Sequence, residues 1–143
     1  MKGRVFIDTN VLVYCYDEDE PEKRERALGI FEEPDTCWEP VLSTQVLQEF
    51  YVAVVRKLAR PLDEAAAEQA VAQLARLPVV QIDAPMVLAA IALSRRHQLS
   101  LWDALILEAA RSAGCPTLLT EDLQPGFRYQ GVTVENPFRG AAG

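Results

Sequence analysis

The chain has 143 residues, half of them hydrophobic and 24% charged, the composition of one globular domain with one core rather than of a disordered segment. No apolar run approaches the roughly 18 residues of a membrane span. Met1-Lys2-Gly3-Arg4 leads straight into a strand-like run rather than a secretory leader, so a cytoplasmic protein without a membrane partner is expected. Cys15, Cys37 and Cys115 are odd in number and far apart, which argues against a disulfide framework or a C-x-x-C metal pair and leaves buried or partly buried thiols. The net charge of −7 neither requires nor forbids a phosphate-bearing partner, because acids gathered in one site distort the total.

In chain order, the pattern predicts a strand over about 4–8, helices over about 10–16 and 21–32, and a strand near 37–43. Pro21 suits the first turn of the second helix. Asp17-Glu18-Asp19-Glu20, between the two helices, reads as a solvated loop. A helix over about 44–58 follows, with Ser43 or Thr44 as its cap. Pro61 and Asp63 announce a helix over about 62–76, and a strand follows at about 79–82. Helices are expected over about 85–97 and 101–113, the second ending at Gly114, then strands over about 116–120 and 129–134. Residues 1–135 read as one domain and 136–143 as a tail. Strands alternating with helices predict a mainly parallel sheet covered by helices, with ligands gathering at the carboxyl ends of the strands.

Four carboxylates stand in or beside apolar runs: Asp8, Glu49, Asp103 and Asp122. Each has an ordinary explanation. Asp8, like Thr9 and Asn10 after it, is a good helix cap. Glu49 lies about 60° around its helix from Val46, at the border of the apolar face. Ser100-Leu101-Trp102-Asp103 fits a capping box, although the helix it opens is apolar nearly all round and reads as buried. Asp122 precedes the turn-like Leu123-Gln124-Pro125-Gly126, and Glu121 competes with it. Together they suggest a shared partner, because a carboxylate in apolar surroundings is costly without one. His97 is the sole histidine and reads as a solvated helix-end residue, so zinc is disfavoured. All-carboxylate ligation suits Mg²⁺ or Mn²⁺, one or two ions, and points to phosphodiester hydrolysis. Neither a phosphate-binding glycine loop nor a G-x-S-x-G nucleophile turn is present.

Phe6-Ile7-Asp8-Thr9-Asn10-Val11-Leu12-Val13-Tyr14, Ser43-Thr44-Gln45-Val46-Leu47-Gln48-Glu49-Phe50-Tyr51, Leu101-Trp102-Asp103-Ala104-Leu105-Ile106 and Leu118-Leu119-Thr120-Glu121-Asp122-Leu123-Gln124 occur in this order along nearly the whole chain. In these segments the sequence resembles the PIN-domain nucleases, and within them the VapC-type toxins of toxin–antitoxin modules. The resemblance implies a three-layer α/β/α sandwich around a mainly parallel sheet, and metal-dependent endoribonuclease activity. It matches the family's four acids to Asp8, Glu49, Asp103 and Asp122, and its supporting hydroxyl and amide positions to Thr9, Asn10 and Thr120. It favours Asp122 over Glu121. It also implies a VapB-type antitoxin partner, which blocks the site often through an inserted basic side chain, and a homodimer.

On this expectation Asp8 sits centrally with Asp103 beside it, Glu49 and Asp122 complete the set, and Lys57, Arg60 and Arg95 are candidate contacts to an RNA backbone, each with solvated surface charge as its ordinary reading. The alternatives are a metal-dependent phosphatase, disfavoured because Asn10 stands where an Asp-x-Asp motif needs its second acid, a DNA nuclease, or a non-catalytic interaction module. The RNA target is not written in these residues.

Overall fold

The computed structural model describes residues 3–32 and 38–139. Six strands form one sheet in the order β3-β2-β1-β4-β6-β5: β1 Gly3–Ile7, β2 Trp38–Ser43, β3 Val79–Val80, β4 Thr117–Leu119, β5 Arg128–Tyr129 and β6 Val132–Glu135. The helices are α1 Thr9–Tyr14, α2 Pro21–Glu32, α3 Thr44–Arg56, α4 Glu64–Leu74, α5 Ala84–His97 and α6 Leu101–Ser112. The result is the expected α/β sandwich with a mostly parallel central sheet flanked by helices.

The core explains the strand order. Val5, Phe6 and Ile7 of β1 are fully buried, a continuous apolar run that needs cover on both faces and a strand on each side. β2 and β4 supply those neighbours, both parallel, with Phe6 level with Val41 on one side and Leu118 on the other. From β1 the chain builds outward through β2 to β3, then crosses back to place β4 on the opposite side of β1. The strand order therefore reverses between β1 and β4, and a crevice opens at their carboxyl ends. The backbone N–H of Asp8 donates to the carbonyl of Leu119 at 3.0 Å, which fixes the two strand ends side by side.

Local chemistry sets the helix limits. Ser43, rather than Thr44, caps α3 by accepting from the Val46 N–H, while the Thr44 hydroxyl accepts from the Ile82 N–H. Asp63, Asp83 and Ser100 cap α4, α5 and α6 in the same way. α6 ends in a Schellman turn: Gly114 takes φ +70° and donates to the Arg111 carbonyl, and Cys115 donates to that of Ala110. Residues 104–110 of α6 are all buried, as its nearly all-round apolar pattern predicts.

One expected element is different. The strand expected over about 129–134 is a hairpin, with β5 antiparallel to β6. Gln130 and Gly131 both take positive φ, 44° and 88°, the tight turn whose twist suits a two-residue hairpin. Cys15 and Cys115 are buried, and burial pushes both thiols up to about 11, so they are inert core groups; Cys37 lies outside the described residues. Phe138, beyond the last strand, is buried edge-on against Tyr14 with ring centroids 4.9 Å apart.

Candidate active site

Asp8 is the N-cap of α1, one residue past β1, and its side chain is turned into the crevice between β1 and β4. One carboxylate oxygen, Oδ1, accepts from the Thr9 N–H at 2.7 Å. The other, Oδ2, accepts from the Thr120 hydroxyl at 2.9 Å and from the Asn10 amide at 3.4 Å. Capping and site membership thus coexist in one residue. Only 4% of Asp8 is exposed, and burial pushes its carboxyl up to about 6; the negative charges of Asp122 and Glu49 push the same way, against the hydrogen bonds from Thr120 and Thr9.

Two neighbours link Asp8 to the other acids. The Thr9 hydroxyl donates to Glu49 Oε1 at 2.7 Å, joining α1 to the middle of α3. The Asn10 amide nitrogen donates to Thr120 Oγ1 at 3.2 Å and to Asp122 Oδ2 at 3.0 Å, and its oxygen accepts from the Glu121 N–H. Thr120, fully buried, also accepts from the Asp122 N–H at 3.1 Å. Asp103 stands in the first turn of α6, half-buried, its N–H on Ser100 Oγ at 3.1 Å. Its carboxyl is raised by burial and then by the charges of Asp122 and Glu49, against the Ser100 hydroxyl, which places it in the same field of negative charge.

Hydrogen bonds thus tie Asp8 to Glu49 and Asp122, and the charges of Glu49 and Asp122 act on Asp103; Asp8 is buried, Glu49 and Asp103 are half-buried, and Asp122 is exposed. Glu121, on the same groove as Asp122, has different partners. Its carboxylate accepts from the Tyr14 hydroxyl and pairs with Lys23 at 3.1 Å, and the Lys23 ammonium lies 4.8 Å from the Tyr14 ring centroid. Asp122 is bonded to Asn10 and Glu121 to Tyr14 and Lys23, a difference that the local sequence does not display. Beside the acids runs a groove of about 660 Å³ lined by Thr9, Asn10, Tyr14, Glu49, Val52, Lys57, Glu121 and Asp122 among others. Of the three candidate cations, Lys57 lines it; Arg60 is paired with Glu18 at 3.2 Å and Asp19 at 3.6 Å, and Arg95 is exposed in the last turn of α5. His97 is exposed too, edge-on to Phe127.

Two further side chains contribute that no sequence motif marks. Tyr14 donates to Glu121, and Gln45, one helical turn before Glu49, reaches both Glu49 and α6. The four-residue spacing of Gln45 and Glu49 was the available signal, since such pairs meet on a helix.

Among the described residues, no three His, Cys, Asp or Glu side chains are closed into a ready cage for an ion. The donor chemistry still fits a hard divalent cation. The acids offer only oxygen, and Asp8 is held where burial and two like charges oppose its ionisation, a deficit that positive charge would relieve.

The PIN domain family model matches residues 5–128. The chain belongs to the PIN domain family. Solved structures share this fold: VapBC2 from Rickettsia felis bound to a promoter DNA fragment, at 19% identity and a TM-score of 0.66, covers 93% of this chain and 98% of its own. A toxin–antitoxin complex from Klebsiella pneumoniae, at 22% identity and a TM-score of 0.64, covers 93% and 97%. Mycobacterium tuberculosis VapC20, a toxin that cleaves the sarcin-ricin loop, is 19% identical with a TM-score of 0.60 over 80% of this chain and 86% of its own. No curated protein is a sequence match. Among the described residues, no helix is long and apolar enough to cross a membrane.

Proposed function

We propose that this PIN domain is a metal-dependent endoribonuclease and the toxin of a VapBC-type pair. The observation that carries the reading is the buried Asp8 carboxylate at the β1–β4 crevice, tied through Thr9 to Glu49 and through Asn10 to Asp122. Family membership supports it, and so does the fold shared with toxin structures, one of which cleaves the sarcin-ricin loop.

PIN-domain nucleases generally depend on divalent metal; Asp8, Asp103, Glu49 and Asp122 would hold Mg²⁺ or Mn²⁺, one or two ions, here. When bound, the metal supplies acidification of water and charge neutralisation at the scissile phosphate. The chain's own residues do the rest. Thr120 and the Thr9 N–H orient Asp8, so that its oxygens keep one direction. Asn10 fixes Asp122 against the same centre and, with Thr9 and Thr120, forms the supporting set. Lys57, on the groove beside the acids, offers a cation to an RNA backbone. The acidic crevice fits a partner that inserts a basic side chain, as a VapB-type antitoxin would, and the reading includes a cytoplasmic location and a homodimer.

A phosphatase that uses an aspartyl nucleophile is disfavoured by Asn10, whose amide is committed to Asp8, Thr120 and Asp122. Incubation with single-stranded RNA, single-stranded DNA and p-nitrophenyl phosphate, each with Mg²⁺ and with EDTA, separates the readings. Cleavage of RNA alone, abolished by EDTA, is expected. Turnover of the phosphate ester without RNA cleavage would sink the assignment.

A further inference from the structure

Gln45 is a polar side chain where α3 should be apolar. It is 6% exposed, directly before the fully buried Val46, and lies one turn before Glu49. Its amide nitrogen makes two hydrogen bonds: to Glu49 Oε2 at 3.1 Å, and to the carbonyl of Trp102 at 3.1 Å. Trp102 immediately precedes Asp103 in the first turn of α6. A single NH₂ group therefore connects one acid to the backbone that carries another, across two helices adjacent neither in sequence nor through a shared cap.

The orientation of this amide is not free. Both partners are acceptors only, so the NH₂ must face them. Its carbonyl oxygen, Oε1, is consequently turned away and is the one buried side-chain polar atom among the described residues without a hydrogen-bond partner. A buried orphan acceptor is unfavourable and uncommon in folded proteins. An apolar side chain of the same length would remove the orphan and pack as well. What it could not do is hold Glu49.

With Thr9 on Oε1 and Gln45 on Oε2, both oxygens of Glu49 are engaged by donors. The carboxylate, on a helix facing the groove, thus has one fixed direction instead of a family of solvated rotamers. We propose that Gln45 is a positioning residue of the active site: it orients Glu49 and sets it against the Asp103 end of α6, so that the acids meet a divalent cation as one set. This rests on the metal-site reading above. Residues that orient ligands from behind typically change metal affinity or activity about tenfold to a hundredfold when removed.

Mn²⁺ binding by isothermal titration calorimetry tests it, on Gln45→Met, Glu49→Gln and the double variant, with thermal midpoints measured in EDTA. Gln45→Leu, run in parallel, gives the same readout with a differently shaped side chain. The expected result is a metal-free midpoint close to the original, Mn²⁺ affinity lowered about tenfold or more in Gln45→Met, and a double variant no weaker than Glu49→Gln alone, because Gln45 acts through that carboxylate. If Glu49→Gln weakens Mn²⁺ binding while both Gln45 variants bind as the original chain does, the positioning role is overturned and the metal site stands. Additive losses in the double variant overturn it as well. If Glu49→Gln leaves Mn²⁺ binding unchanged, the metal reading of Glu49 falls, and the role of Gln45 falls with it.

Discussion

Asp8 combines 4% exposure with a carboxyl pushed up to about 6, and the sign of that shift has a consequence for stability. The unfolded chain releases this proton near 3.8, the native state near 6. Between those values the folded form binds more proton, so this group favours folding most at low pH, and its contribution is lost as pH rises through 6. The loss amounts to about 3 kcal/mol for a shift of this size. Urea denaturation in EDTA at pH 4 and pH 7 should therefore show a fall in the original chain that Asp8→Asn lacks; parallel profiles would contradict the account. The same shift makes Mn²⁺ affinity decline below pH 6, because the proton and the cation compete for one carboxylate. The importance of Asp8 was legible in the sequence, since an acid ending an apolar strand has few inexpensive positions. Its burial relative to Asp122 was not, because exposure at a turn depends on what the neighbouring strand brings. The separate destiny of Glu121 was equally hidden: it depends on Tyr14 and Lys23, which lie 107 and 98 residues away in the chain.

At the scale of elements, α6 has two jobs. Its first turn carries Asp103, and its third carries Glu108, a carboxylate 1% exposed in the middle of the core. Glu108 is satisfied from both sides: the Arg111 guanidinium donates to Oε1 at 2.6 Å, and the Tyr129 hydroxyl to Oε2 at 2.6 Å. The second bond fastens the β5–β6 hairpin to α6. Tyr129→Phe should cost about 1–3 kcal/mol by leaving a buried acceptor unpaired, and Arg111→Ala about 1–3 kcal/mol, less than a fully buried pair because the Arg111 end is open to solvent. Both are measurable by urea denaturation, and no loss in either would contradict a structural role for these two bonds. The helices were readable in chain order because apolar spacing and caps agree: α2 runs over Pro21–Glu32 as the pattern required, and Ser100 does cap α6. The hairpin was not, because β5 spans two residues and Gln130-Gly131 lacks the Asn or Asp that usually marks such a turn.

For the molecule as a whole, parallel strand order decides where chemistry sits. Reversal of the winding between β1 and β4 opens the crevice, and on the proposed reading four chain segments supply acids to it. A cation that binds only the folded arrangement must stabilise it. At a concentration about a hundredfold above its dissociation constant, Mn²⁺ should add about 2.7 kcal/mol, and EDTA should remove that gain. A melting temperature indifferent to Mn²⁺ at pH 7.5 would count against a metal centre built by these four segments. The most direct measurement is cleavage of single-stranded RNA in Mg²⁺ by the original chain and by Asp8→Asn, purified identically and shown to be equally folded. The account predicts cleavage by the first, and none above background by the second. Full cleavage by the Asp8→Asn protein would contradict it.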